Sequence, residues 1–268
     1  MALVSLILVF GILELGIRIY WGEYRFHNSW EVNRNLFRSA YPAEFHQQLG
    51  WIPIEGYVGD ANVWGTHVTI LQDGIRANSK ESIPISREEG DLILAIGDSY
   101  TFGDMVSDHE TWPARLEGLS GIRTLNGGVF GYAVDQTYLR MRILDEQYRP
   151  THIVMSLIPC DILRCELSER TAVPKPYFEI VDNTLVLRDG HITEKPAAGN
   201  GNLLGRTLGY SFLTHKLMLQ AFPEYWLQGS QRTTQVHSDG AAVTCLLMKE
   251  IESFLKATPS VKKFYLLI

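Results

Sequence analysis

Leu92-Ile93-Leu94-Ala95-Ile96 is an unbroken apolar run that ends at once in Gly97-Asp98-Ser99-Tyr100-Thr101-Phe102-Gly103. Five apolar residues between polar boundaries are the signature of a strand buried on both faces of a parallel sheet. Downstream, residues 111–119 read as a helix, with Thr111 as its cap and Pro113 in its first turn. A second strand, residues 122–125, runs into Asn126-Gly127-Gly128-Val129-Phe130-Gly131. The next helix, from Val134 to about Tyr148, puts Val134, Tyr138, Met141 and Leu144 on one face and stops before Pro150. A third strand, residues 152–157, ends in Ile158-Pro159-Cys160-Asp161, and residues 263–268 read as a fourth. Strands alternating with helices imply right-handed crossovers and a three-layer α/β fold around a doubly wound parallel sheet. Ligands of such sheets bind beyond the carboxyl ends of the strands, so chemistry is expected on the rim that carries Ser99, Gly131 and Cys160.

The first residues have a different character. Residues 2–13 are an apolar run, and residues 15–21 continue it past Glu14 with Arg18 as the second charge. About 20 mostly apolar residues suffice for a spanning helix, and Glu14 and Arg18 can pair at i,i+4 while Tyr20 and Trp21 sit at an interface. No basic stretch precedes the run and no Ala-x-Ala site follows it, which argues against a cleaved signal peptide. The expectation is a transmembrane anchor over residues 1–21, the alternative being a buried core helix. Orientation is contested within the sequence: Arg18, Arg25, Arg34 and Arg38 all lie C-terminal to the run, which on its own places the following domain in the cytoplasm.

Residues 22–90 read as an extended, aromatic-rich collar of short strands, with a strand at 67–71 and a turn at Asp73-Gly74. Residues 91–268 then form the main domain, interrupted by a hairpin insertion at about 177–187 that turns at Asp182-Asn183. Ser238-Asp239 reads as the N-cap of a helix over residues 240–257. With 24 Lys+Arg against 30 Asp+Glu the net charge is −6, which offers no basic face for nucleic acid. Three cysteines, Cys160, Cys165 and Cys245, are too few for a disulfide scaffold and form no Cys-x-x-Cys metal pair. Cys160 and Cys165 are expected to be buried free thiols, one bridge being the alternative. No phosphate-binding glycine loop follows a strand, and neither cofactor nor metal is expected.

Ser99, at a sharp strand-to-helix turn, would present its hydroxyl on the rim, and its own N–H could serve an oxyanion in the same pocket. Asp98 would accept hydrogen bonds from the loop and hold the turn. The plainer alternative is that Asp98-Ser99 only caps a helix. Asp108-His109 reads as exposed surface.

The Gly97–Gly103 string resembles the first block of the SGNH (GDSL-type) hydrolases, whose serine is the nucleophile. Asn126–Gly131 is similar to the second block, and the resemblance places an oxyanion N–H on Gly131. The layout from about residue 48 onward, with the N-terminal helix, is similar to membrane-anchored bacterial members. It implies an SGNH-hydrolase/flavodoxin-like fold and a serine esterase or deacylase acting on acyl esters through Ser99. An O-acyltransferase on cell-surface glycans, or a non-catalytic glycan-binding scaffold, is the alternative. The resemblance also implies an extracytoplasmic main domain, against the basic flank. Two departures stand out. Cys160 occupies the position of the oxyanion asparagine, and a thiol is a weak donor. The late Asp-x-x-His block that supplies the acid and base has no match beyond the third strand. The sequence is therefore expected to be a fragment whose Asp/His pair lies past Ile268, with His109, His191 and His237 the histidines to test otherwise.

Loss of triad members leaves roughly 10³–10⁴-fold catalysis over water. The 268-residue chain should accordingly cleave p-nitrophenyl acetate barely above background. An extended reading frame that supplies Asp-x-x-His should restore activity that Ser99→Ala abolishes. Robust Ser99-dependent turnover by the chain alone would contradict this expectation.

Overall fold

The four expected strands form one parallel sheet, Leu92–Ile96, Arg123–Asn126, His152–Ser156 and Lys263–Leu267. In this computed structural model the described residues are 2–24, 26–34, 42–60, 65–79, 90–193, 203–227 and 233–268. Numbered in chain order, the strands lie side by side as 4-3-1-2. Leu92 pairs with Arg123 on one side of the first strand, and Ile93 pairs with His152 on the other. Lys263 continues the sheet beside His152. The chain therefore leaves the first strand in one direction, returns across it, and goes on in the other. With right-handed crossovers, this puts helix Trp112–Ser120 on one face and helices Val134–Tyr148 and Gly240–Ala257 on the opposite one. The latter two pack against each other. The reversal opens a crevice between the carboxyl ends of the first and third strands, where such folds bind ligands.

Local chemistry explains why these helices start where they do. Thr111 Oγ1 accepts from the Ala114 N–H at 3.2 Å, and Pro113 needs no partner in the first turn. Helix Gly240–Ala257 starts as expected but is capped differently. Asp239 makes no cap bond, and Glu166 Oε1 accepts from the Gly240 N–H at 3.1 Å instead. Leu94, Ile96, Ile153 and Met155 are fully buried between the layers, joined by Met141, Leu144, Val243 and Leu247 from the helices. The insertion is the expected hairpin, Tyr177–Val181 against Thr184–Arg188, with Asp182 and Asn183 both at positive φ.

The chain divides into two compact units, residues 41–194 with 233–268 and residues 1–40 with 195–232. Much of the expected collar thus belongs to the sheet unit, as the antiparallel pairs Ala43–His46/Gly50–Pro53 and Val58–Asp60/His67–Thr69. Its residues 25, 35–41, 61–64 and 80–89, Arg25 and Arg38 included, lie outside the described residues. In the smaller unit, the N-terminal run forms the expected helix, Ala2–Trp21. Among the described residues, however, no helix is long and apolar enough to cross a membrane, and the expected transmembrane anchor has no support. Glu14 and Arg18 do pair, at 2.6 Å, but both are also engaged by a neighbouring helix, Phe212–Ala221, and the turn before it. In the same unit, burial pushes the His215 imidazole down to about 4, and it accepts from Trp226 Nε1 at 3.0 Å as a neutral ring.

Leu94 sits in the middle of the first strand with none of its surface exposed. Leu94→Ala should cost about 2–5 kcal/mol, read as a lower urea midpoint with an unchanged slope. A cost under about 1 kcal/mol would place the sheet's core elsewhere.

Candidate active site

Ser99 opens a one-turn helix, Ser99–Phe102, immediately after the first strand. Asp98 is its N-cap, in extended conformation, and Oδ1 accepts from the Tyr100 N–H at 2.9 Å. The turn is packed too tightly for a larger residue at Gly97. A Cβ there would lie 2.4 Å from Thr101 Oγ1 and 2.6 Å from Ser156 Oγ. Those two hydroxyls hydrogen-bond each other at 2.5 Å, tying the serine turn to the end of the third strand.

The loop after the second strand packs on the other side of the same turn. A Cβ on Gly128 would come within 2.4 Å of the Phe102 nitrogen, so only glycine allows this approach. Val129 N–H donates to the Gly97 carbonyl at 3.0 Å, and the Asn126 carboxamide accepts from Gly128 N–H at 3.1 Å. Phe102 and Phe130 meet edge to face, centroids 5.1 Å apart and both fully buried. Gly131 follows with φ 76°.

The carbonyls of this loop are held from behind. Arg140 Nε donates to Gly127 O at 2.8 Å and Trp51 Nε1 to Phe130 O at 3.0 Å. Arg170 donates to Gly131 O, and Arg164 Nη1 to Tyr132 O at 3.0 Å. A trans peptide sets its C=O and the next N–H in opposite directions. Trp51, by gripping the Phe130 carbonyl, therefore fixes where the Gly131 N–H points. Among the described residues neither the Ser99 nor the Gly131 N–H donates to a backbone carbonyl.

Arg164 joins the three loops. Besides Tyr132 O, its Nη1 lies 2.6 Å from Asp161 Oδ1 and 3.7 Å from Asp98 Oδ2. Asp161 Oδ2 accepts from the Ile158 N–H at 2.9 Å and so caps its own helix, Pro159–Arg164. Burial raises the Asp161 carboxyl to about 7, and the Asp98 charge adds to the rise. The Ile158 N–H, Arg164 and Arg170 oppose it but do not prevail. On the far side of the serine turn, Arg76 is almost fully buried and donates to the carbonyls of Phe102, Gly103 and Val106. Its guanidinium also pairs with Asp108 at 3.2 Å and lies over the Phe102 ring.

Ser99, Gly131 and Cys160 thus belong to three loops at one end of the sheet, linked through Arg164 and the Thr101–Ser156 bridge. Two expectations need correction. Cys160 is exposed rather than buried, because it sits in the first turn of a short rim helix; only Cys165 of that pair is buried, and both are free thiols. Asp108 is buried as the partner of Arg76 and accepts from Thr69 N–H at 3.1 Å, while its neighbour His109 is exposed. The other two candidate histidines are engaged by groups other than Ser99. His191 Nε2 contacts the Ser168 and Lys175 carbonyls, and His237 pairs with Asp239 at 2.5 Å. The arginines of the site were not singled out from sequence. The one local signal was Asp161-x-x-Arg164, an i,i+3 pair on the rim helix.

No family model matches the chain, and no curated protein does. Among solved structures it is similar to the SGNH-hydrolase family esterase AlinE4, at 31% identity and a TM-score of 0.26, with 30% of this chain and 46% of that chain covered. Two variants of the same esterase match over the same shares, at 31% and 30% identity and the same TM-score. The chain thus spans just under half the length of the esterase it matches.

Because folding raises the Asp161 carboxyl from 3.8 to about 7, the native state holds a proton there that the unfolded state has released. This group's contribution to stability is therefore full below about pH 4 and is lost as pH rises through about 7. Urea midpoints measured between pH 4.5 and 7.5 should fall less steeply in Asp161→Asn than in the unaltered chain. Parallel pH profiles for the two proteins would remove Asp161 from this role.

Proposed function

We propose that this chain carries the nucleophile and oxyanion loops of a serine ester hydrolase of SGNH type. The observation that supports the reading is the Arg164 guanidinium. One nitrogen reaches the Asp98 cap of the serine turn, the Tyr132 carbonyl of the second loop and Asp161 of the third. That contact makes three separate loops one rim, at the crevice where a doubly wound sheet places its ligand.

In this reading Ser99 Oγ loses its proton to a base and bonds to the acyl carbon of an ester. The carbonyl π pair moves to oxygen, where the Ser99 and Gly131 N–H groups donate to the developing charge. Collapse restores the C=O, breaks the bond to the alcohol oxygen, and the leaving alkoxide takes the proton back from the base. Water then repeats the sequence on the acyl-enzyme and releases the acid; a sugar hydroxyl in its place would make the reaction an acyl transfer. No described histidine hydrogen-bonds Ser99, so the base is not assigned to a residue. Asp98, the buried N-cap of the serine turn, supports that turn and is not the acid of a triad.

Cys160 favours a second, non-catalytic reading. It stands where the SGNH resemblance calls for a carboxamide donor, and loss of one oxyanion donor costs roughly 10²–10³ in turnover. The two readings separate on covalent labelling. A fluorophosphonate should add once, slowly, to the peptide containing Ser99, and Ser99→Ala should show no adduct. Cys160→Asn should speed the labelling at least about tenfold by supplying a carboxamide N–H. An adduct elsewhere, or none at all, would overturn the hydrolase reading in favour of the non-catalytic one.

A further inference from the structure

The smaller unit presents a surface unlike that of the sheet unit. On the Ala2–Trp21 helix, Leu8, Ile12 and Leu15 are 61%, 69% and 61% exposed, and Val4, Val9, Phe10, Leu13 and Ile19 are exposed with them. At 100° per residue these side chains, together with Trp21, sweep roughly 260° of the helix circumference. Among the described side chains of this helix, Glu14, Ile17 and Arg18 are half-buried.

Glu14 and Arg18 are satisfied within the unit. Glu14 pairs with Arg18 and accepts from Ser211 Oγ at 2.9 Å, Phe212 N–H at 2.8 Å and Leu213 N–H at 2.9 Å. Its charge thereby meets the positive end of the ten-residue helix Phe212–Ala221. Arg18 Nη2 donates to the Tyr210 carbonyl at 2.9 Å. The two charges of the helix are thus both paired and turned inward. The C-terminal end is aromatic: Tyr20, Trp21 and Tyr24 are exposed there, beside Tyr210 and Phe26, which stack on each other. Lys216 Nζ lies 4.0 Å from the centre of the Trp21 ring.

We infer that a lipid bilayer covers this surface, with the Ala2–Trp21 helix seated in the acyl layer and its aromatic end at the headgroups. A packed protein element covers a stripe of about 100° on a helix, whereas this apolar surface is more than twice as wide. Acyl chains cover a helix from every side. An ion pair closed within the unit leaves no lone charge for the lipid to meet. Aromatic rings at one end, with a lysine over one of them, are the side chains that settle at a membrane–water interface. The inference concerns what covers the surface and does not require the helix to cross. It is independent of the chemistry at Ser99.

The test is flotation of the 268-residue chain with phosphatidylcholine vesicles, which carry no net charge. The chain should float equally at 0.1 M and 1 M NaCl, flags of apolar rather than charge-driven binding at roughly those ionic strengths. Leu8→Asn, Ile12→Asn and Leu15→Asn together should weaken partition on the order of 100-fold. Leu119→Asn, at a still more exposed leucine on a helix of the sheet unit, should float unchanged, and so should Ser99→Ala. Should the triple variant misfold, the unaltered chain still decides: bromine-labelled acyl chains should quench a fraction of its tryptophan emission that Trp21→Phe removes. The inference is overturned by a chain that does not float, by flotation only on anionic vesicles at low salt, or by quenching that ignores Trp21→Phe. A stable dimer that hides this face and leaves vesicles unbound would overturn it in favour of a second copy.

Discussion

Backbone carbonyls at the rim of the sheet are held by buried side-chain donors, and the candidate site depends on that. Beyond a strand's end the ladder stops, so the loop's polar groups need other partners. A buried carbonyl left without one costs about 1–3 kcal/mol. Here the partners are Arg76 for the serine turn and Trp51, Arg140, Arg164 and Arg170 for the second loop. Arginine suits the task because its planar fork offers several donors at fixed angles and it keeps its charge when buried. Arg76 alone serves the carbonyls of Phe102, Gly103 and Val106, which a lysine could not do with the same geometry. Gripping the carbonyls also directs the amides, since each peptide plane is rigid. The direction of the Gly131 N–H is set in this way by Trp51, which grips the preceding carbonyl.

The same device has an electrostatic side. Asp98 and Asp161 are both nearly fully buried and share one guanidinium. Two buried carboxylates beside one cation leave a net negative charge, which desolvation disfavours. The proton retained by Asp161 near neutral pH relieves it. The same Arg164 nitrogen holds the Tyr132 carbonyl. A buried ion pair contributes little net stability, but it specifies geometry wherever its partners come from separate loops. Here Asp98 comes from the serine turn, and Asp161 and Arg164 from the third loop.

Much of the fold was legible because strand and helix signals are local. The run Leu92–Ile96, the cap Thr111 and the turn Asp182-Asn183 each announce their element within a few residues. The donors of the site were not legible, since a carbonyl belongs to every residue and sequence does not say which one an arginine meets. Arg76 and Phe102 are twenty-six positions apart. Asp108 looked like surface because it stands beside His109, yet successive side chains of a 3₁₀ turn point about 120° apart, and Asp108 is the buried one. Asp239 looked like a cap, but it pairs with His237 and leaves the amide to Glu166, seventy-four positions away. Trp51 looked like part of an approach to the domain. Its indole in fact sets the second loop, so the short antiparallel pair that carries it is part of the site's framework.

Close packing makes these loops move together. A Cβ at Gly97 or Gly128 would collide with the serine turn, so neither loop can shift without carrying Ser99 with it. The Thr101–Ser156 bridge extends the same coupling to the third strand. Cys160 is the exception. Its neighbour Asp161 is fixed by the Ile158 N–H and Arg164, whereas Cys160 faces solvent from the same turn. The backbone of the third loop is therefore placed as rigidly as that of the other two, and only the donor on it differs in kind. A change confined to that one exposed side chain leaves the site's architecture in place.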